Sequence, residues 1–228
     1  MTAVPTTKAP RSEILACTLK INEIFHSIQG ESTLTGLPSV FIRLTGCPLR
    51  CSYCDTEYAF HEGGKITLGG ILQSVSEYRT PHVMVTGGEP LAQKNCFLLL
   101  GLLCDEGYRV ALETSGAMDI SEVDRRVKII LDLKTPGSGE ERKNDYENIP
   151  RLGNSDEVKF VLCNRDDYDW AVAKLQNFRL QDRCEILFSP SHDQLEGRKL
   201  AEWVLEDRLP VRVQIQLHKY LWGNERGR

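Results

Sequence analysis

The chain has 228 residues, 41% of them apolar and 26% charged, and a formal net charge of −4 at neutral pH. That balance suits a soluble chain of roughly one to two domains with a sizeable core, and it disfavours non-specific binding to nucleic acid or anionic membranes. No stretch approaches the roughly 20 apolar residues that span a bilayer. The opening "MTAVPTTKAPRSEILAC" has no apolar core followed by a small-residue cleavage site, so the cytoplasm is the expected compartment.

In chain order, residues 1–17, with Pro5 and Pro10, read as a flexible arm, and 18–228 as a single domain. Short β-rich apolar runs then recur at 41–45 (FIRLT), 82–87 (HVMVTG), 109–114 (RVALET), 127–133 (VKIILDL), 157–162 (EVKFVL), 185–189 (EILFS) and 211–217 (VRVQIQL). Helix-like stretches separate most of them, at 68–78, 90–107, 167–178 and 195–207. Strands alternating with helices predict βα units and a mostly parallel sheet. Roughly six such units predict an α/β fold of the incomplete (β/α) barrel kind, its parallel strands flanked by helices. One long polar stretch, 135–156, follows a strand directly and falls on the face where such folds build their sites; on its own it reads as a solvent loop.

The densest chemistry is "TGCPLRCSYCDTEY" at 45–58. Cys47, Cys51 and Cys54 form C-x3-C-x2-C, with no second pair to complete a four-ligand zinc site. Three soft thiolates suit an iron–sulfur cluster with one iron left open for chemistry; zinc and coincidence remain alternatives. The other five cysteines, Cys17, Cys96, Cys104, Cys163 and Cys184, are scattered and read as small buried apolar residues. "TGGEP" at 86–90 ends an apolar run; alone it is a common turn, and its glycines let a backbone approach a ligand.

The cysteine spacing, Tyr53 before the last cysteine, and the downstream "GGE" together resemble the radical S-adenosylmethionine (SAM) superfamily. "INEIFHSIQGES" (21–32), "FIRLTGCPLRCSYCDTEY" (41–58), "VTGGEP" (85–90), "ETSG" (113–116) and "QLHKYLW" (216–222) are further similar, in the same order, to the 7-carboxy-7-deazaguanine synthase family. The resemblance implies three cofactors: a 4Fe–4S cluster on Cys47, Cys51 and Cys54, SAM, and Mg2+ at Thr56. It implies SAM contacts from Tyr53, Cys54, Asp55, Gly88, Glu89, Glu113, Ser115, Asp132, Leu133 and Lys134, and from the backbone of Phe188, Ser189, Pro190 and Ser191. It implies a small pterin substrate, 6-carboxy-5,6,7,8-tetrahydropterin, held by Ile28, Gln29, Gly30, Glu31, Arg43 and Thr86. Arg43 suits a carboxylate because its planar fork gives two parallel bonds. The expected partners are an electron donor such as flavodoxin or ferredoxin and a second copy of the chain, with no nucleic acid and no membrane. A glycyl-radical-enzyme activase, which shares "CPLRCSYC" but has no need of "SIQGE", and a non-catalytic zinc module are the competing readings. Three departures from the family pattern stand out: Ser32 where many members have glycine, "DLK" at 132–134 where "SPK" is common, and "LFSPSH" at 187–192 in place of "LQP". His218 reads equally as a structural or a site residue.

Overall fold

In the computed structural model, which describes residues 10–228, nine strands of the described residues join in one sheet. Their spatial order is β3 (Gly64–Thr67), β1 (Thr18–Ile28), β2 (Pro38–Leu44), β4 (His82–Gly87), β5 (Arg109–Thr114), β6 (Lys128–Asp132), β7 (Glu157–Leu162), β8 (Glu185–Pro190) and β9 (Arg212–Val213). From β2 through β4 to β9 all pairings are parallel. β1 runs antiparallel to both its neighbours. The two end strands do not meet, so the sheet is an open, partial barrel, with the two-residue β9 as a seventh parallel strand beyond the roughly six expected.

The outer face is apolar. Ile42, Val85, Leu112, Leu131, Phe160 and Phe188 pack under the helices that follow the strands. These are α2 (Leu68–Ser76), α3 (Asn95–Asp105), α4 (Arg165–Phe178) and α5 (Gly197–Asp207). Each turns a buried edge to the sheet, as α4 does with Tyr168, Ala171 and Leu175. The starts of α2 and α4 follow from capping residues: Thr67 Oγ1 accepts the Gly70 N–H at 3.1 Å, and Asn164 Oδ1 the Asp167 N–H at 3.0 Å. Among the described residues no helix is long and apolar enough to cross a membrane.

Because side chains alternate along a strand, the intervening residues form the inner face, and they change character along the barrel axis. Phe41, Met84, Ala111 and Ile130 make a small apolar floor, capped by Leu34 of the β1–β2 loop. One step further along the strands stand Arg43, Thr86, Glu113 and Asp132, with Lys159 beside them. The β1–β2 loop closes the inside of the sheet. The Thr33 N–H donates to Glu157 Oε1 at 3.0 Å and the Ser32 N–H to Gln214 Oε1 at 2.8 Å.

Several expectations change. β1 and β3 carry no strand expectation in the sequence reading, yet β1 is eleven residues long. The strand expected over 211–217 shrinks to Arg212–Val213, because Gln214 and Gln216 turn their amides inward and α6 (Leu217–Trp222) begins. The stretch 135–156 is not a loose solvent loop. It folds into three short 3-10 turns around the fully buried Asn148, whose amide accepts from the Ile120 N–H at 3.1 Å and donates to Met118 O at 2.8 Å. Of the arm expected over 1–17, residues 1–9 lie outside the described residues; Arg11–Ala16 form α1, with Ile14 and Leu15 packed on the core. Cys96 is buried as expected, whereas Cys17, Cys104, Cys163 and Cys184 are only half-buried.

Candidate active site

A cavity of about 640 Å³ opens at the C-terminal ends of the parallel strands. One wall is the loop after β2. Gly46 turns it with φ 98°, donating its N–H to Ala59 O at 2.8 Å and accepting from Glu89 N–H at 2.8 Å. The segment 135–156 backs this loop: Ser52 donates its N–H to Ser138 O at 2.9 Å and its hydroxyl to Gly137 O at 2.7 Å, and Arg50 N–H reaches Glu140 Oε1 at 2.6 Å. Cys47, Cys51 and Cys54 all line the cavity as unpaired thiols. Burial pushes all three thiols up, Cys51 to about 11, and Lys134 pulls each of them partly back. Among the described residues no three His, Cys, Asp or Glu side chains converge on one point as a single ion needs. Three soft thiolates on one wall suit an iron–sulfur cluster by their chemistry.

The opposite wall follows β4 and β5. Gly87 has φ 148°, a conformation open to glycine, and Gly88 lies so close to Gly46 and Cys47 that a side chain there has no room. Glu89 is fully buried and does not line the cavity. Its carboxylate accepts from Leu91 N–H at 3.0 Å, from the Thr114 hydroxyl at 2.9 Å, and from the Ser115 N–H and hydroxyl at 2.7 and 2.5 Å. It therefore ties the ends of β4 and β5 together and sets the position of Ser115, which does line the cavity.

Beyond the apolar floor lies a layer of charges. Lys159 Nζ pairs with Glu31 Oε2 at 2.8 Å, with Glu113, and with Asp132 Oδ2 at 3.4 Å. Lys134 Nζ pairs with Asp132 Oδ2 at 3.0 Å. Burial opposes the charges of Glu31 and Asp132, but the ammonium groups outweigh it and hold both carboxyls below their ordinary range. Two residues that line this cavity each keep a buried polar atom without a partner: the Tyr53 hydroxyl and Asp132 Oδ1. Buried polar atoms normally find a partner, so each calls for a water or a bound group beside it.

At the other end, Arg43 Nε pairs with Glu23 Oε1 at 2.7 Å, and the Tyr58 hydroxyl donates to the same oxygen at 2.9 Å. The Arg226 guanidinium lies 3.8 Å from the Tyr58 ring centre. Thr56 donates to Asp55 Oδ1 at 2.7 Å, and Lys219 Nζ meets Asp55 Oδ2 at 3.2 Å. Burial again opposes the charge of Asp55, and these two partners win, lowering its pKa to about 2. Thr86 donates to Glu113 Oε2 at 3.2 Å. His218 also lines the cavity, packed on Gly30 so closely that a β-carbon there would collide with its ring.

Of the residues that the sequence nominates, Ile28, Gln29, Gly30, Glu31, Arg43, Tyr53, Asp55, Thr56, Thr86, Gly88, Glu113, Ser115, Asp132, Lys134, Ser189, Pro190 and Ser191 line this one cavity with the three cysteines. Leu133 and Phe188, like Glu89, do not. Both are fully buried, and Phe188 stacks edge-on against Phe160 and Tyr168 on the outer face. The sequence reading missed Lys159, Gln216, Lys219, Tyr58 and Arg226. Only Lys159 left a signal: a lysine in the middle of an otherwise apolar buried strand.

Comparison with known proteins decides what this arrangement belongs to. The Radical SAM superfamily model matches residues 41–181. The 7-carboxy-7-deazaguanine synthase of Chlorobaculum tepidum is 46% identical over 208 residues, covering 90% of this chain and 94% of that one. That of Koribacter versatilis is 38% identical, over 91% and 98% of the two chains. The chain belongs to the 7-carboxy-7-deazaguanine synthase family of radical SAM enzymes. A crystal structure of QueE from Escherichia coli has the same fold, with a TM-score of 0.77 at 23% identity, covering 92% of this chain and all of that one. As a radical SAM enzyme the chain uses a 4Fe–4S cluster and SAM. The site fits both: three spaced thiols for the first, and beside them a glycine-lined approach and two unpartnered polar atoms for the second.

Proposed function

We propose that this chain converts 6-carboxy-5,6,7,8-tetrahydropterin to 7-carboxy-7-deazaguanine, with ring contraction and loss of ammonia, as a step of queuosine and deazapurine biosynthesis. The observation that carries the reading is the cavity itself. It joins the three thiols to a polar layer whose donors and acceptors suit a carboxylated pterin. When bound, the cluster and SAM supply a radical that takes hydrogen from carbon. The chain's residues do the rest. Arg43, already oriented by Glu23, offers its remaining N–H donors to the substrate carboxylate. Glu31, ionised by Lys159 and held by Gln216 Nε2 at 2.8 Å, accepts from pterin N–H groups, and Gln29 lies alongside. Gly30 brings the backbone close, with His218 fixed against it.

Thr56, with Asp55 ionised beside it, is our candidate for Mg2+, which keeps several waters and gains the substrate carboxylate as a ligand. Gly88, Ser115, Tyr53, Asp132 and Lys134 are our candidates to contact SAM, with Glu89 acting through Ser115 rather than directly. A homodimer, an external one-electron donor and a cytoplasmic location complete the proposal. The activase and zinc-module readings lose support from relatives that share the synthase name over nine-tenths of the chain. The test is anaerobic reconstitution with iron and sulfide, then turnover with SAM, a chemical reductant, Mg2+ and the pterin, followed by mass spectrometry. Product with release of ammonia is expected. SAM cleavage without any pterin product would overturn the substrate assignment.

A further inference from the structure

Lys159 is the charge centre of the cavity. Three carboxylates, from the β1–β2 loop (Glu31), β5 (Glu113) and β6 (Asp132), face its one ammonium, and its side chain is 6% exposed. Among the described residues Lys134 is the only other ammonium paired within this group, through Asp132, so two positive charges face three negative ones. His218, on α6, lies near enough to Glu31 to favour its charge. On β7 itself, Glu157 is two residues away and is paired with Lys128 instead. In the reading above, Glu31 belongs to the pterin side while Asp132 and Glu113 belong to the SAM side. The same lysine holds both.

We propose that Lys159 is a positioning residue: a shared counter-ion that draws Glu31, Glu113 and Asp132 together and holds them in place, so that the pterin and SAM halves of the site are set by one side chain. The proposal rests on the pterin reading for its consequence on substrate binding, though not for the charge argument. Without the ammonium, carboxylates crowded in a poorly hydrated pocket repel, and one of them takes up a proton near neutral pH. While all three carboxylates stay charged, the repulsion turns Glu31 away from Lys159's position, and uptake of a proton at lower pH relieves it. The directions of the present shifts agree: both Glu31 and Asp132 are lowered, and Lys159 is raised.

The test compares wild type, Lys159→Met, Lys159→Arg and Lys159→Met/Glu113→Gln as full-length, cluster-reconstituted protein. The probe is 6-carboxypterin, an unreactive oxidised analogue whose fluorescence reports binding. Against wild type, Lys159→Met should bind it about tenfold more weakly or worse at pH 8, with the deficit shrinking at least about threefold at pH 6. Lys159→Arg should restore affinity to within about threefold, since charge rather than shape matters most. In the double variant the pH dependence of the deficit should disappear. Melting temperature without ligand gives a second reading. A carboxyl raised in the folded state binds a proton the unfolded chain does not, so stability falls as pH rises through the window. Lys159→Met should therefore gain stability relative to wild type from pH 8 to pH 6, and the double variant should not.

If Lys159→Met fails to fold, the double variant should be recovered, because it removes one of the repelling charges; loss of both overturns the proposal. Equal pterin binding by Lys159→Met and wild type, or a deficit that ignores pH together with parallel melting curves, also overturns it. Wild type that binds no pterin while the melting-temperature slope persists would instead sink the substrate reading and leave the counter-ion role standing.

Discussion

Gly88 offers a sharp test of how the cofactor end is built. Glycine is needed there for space rather than for an unusual backbone. A β-carbon placed on it would lie 2.6 Å from the Gly46 carbonyl carbon and 2.8 Å from Cys47 Cβ, with the Gly46 oxygen closer still. Carbon atoms rest about 3.5 Å apart, so Gly88→Ala requires a retreat of roughly 0.7–0.9 Å. The atoms in the way are not flexible tips. Gly46 is fixed by hydrogen bonds to Ala59 and Glu89, and Cys47 carries the first thiol of the cluster motif. Overpacking of this kind typically costs about 1–3 kcal/mol. For a chain of this length that lowers the melting temperature by roughly 2–12 °C.

The functional effect should exceed the stability effect, because displacement of the cysteine loop by most of an ångström spoils a geometry that needs all three sulfurs. Iron and acid-labile sulfide per chain, with the broad absorbance near about 400 nm, are the measurements. Gly88→Ala should fall well below the wild-type iron content. Gly64→Ala, on the exposed strand β3 with nothing near the new methyl, should match wild type in both iron and melting temperature. Full iron loading and an unchanged melting temperature in Gly88→Ala would show that the loop yields freely and refute the reasoning.

Cys51→Ala should lose the cluster, while Cys96→Ala and Cys184→Ala, whose thiols lie outside the cavity, should keep about four irons per chain; iron analysis after reconstitution distinguishes them. Arg43→Ala should weaken pterin binding about tenfold or more, the scale of a charge-assisted bond, and leave SAM affinity unchanged; an equal loss of both would indicate a folding defect. Thr56→Ala should blunt the response of turnover to Mg2+ more than it changes SAM cleavage without substrate. Turnover indifferent to a chelator at saturating pterin would remove the metal from the scheme.

The strands β4, β5 and β7 were legible to the residue, because a parallel strand covered on both sides is a short apolar run bounded by turn residues. β1 was not. "TLKINEIFHSI" mixes polar and apolar residues, since it pairs antiparallel near the sheet edge and carries an irregularity between Ile21 and Glu23. The run at 211–217 misled for a related reason. Its alternation is that of a strand, but two of its glutamines spend their amides on Ser32, Ser189 and Glu31 instead of on the sheet surface. Motif residues near the cysteines were found because their chemistry is concentrated in sequence. Lys159, Gln216 and Lys219 were not, because they meet their partners across 128, 185 and 164 positions of chain respectively, counting Lys159–Glu31, Gln216–Glu31 and Lys219–Asp55.

Ser32 shows how a departure from a family pattern can leave the geometry intact. Its φ is 68°, in the left-handed region that explains why a glycine is common there. A residue with a β-carbon costs about 1–2 kcal/mol more in that region, and three bonds of the β1–β2 loop oppose the cost. The Ser32 hydroxyl accepts the Leu34 N–H at 3.0 Å, its N–H donates to Gln214 Oε1 at 2.8 Å, and its carbonyl accepts the Thr35 hydroxyl at 2.7 Å. Gln214 in turn donates to Ser189 Oγ at 2.9 Å, near the end of β8 on the cavity wall. The serine thus keeps the glycine's backbone shape through its own hydrogen bonds and fastens the Gln29–Glu31 segment to the far side of the sheet. The shape of the loop, and not the identity of residue 32, is what places Glu31 against Lys159.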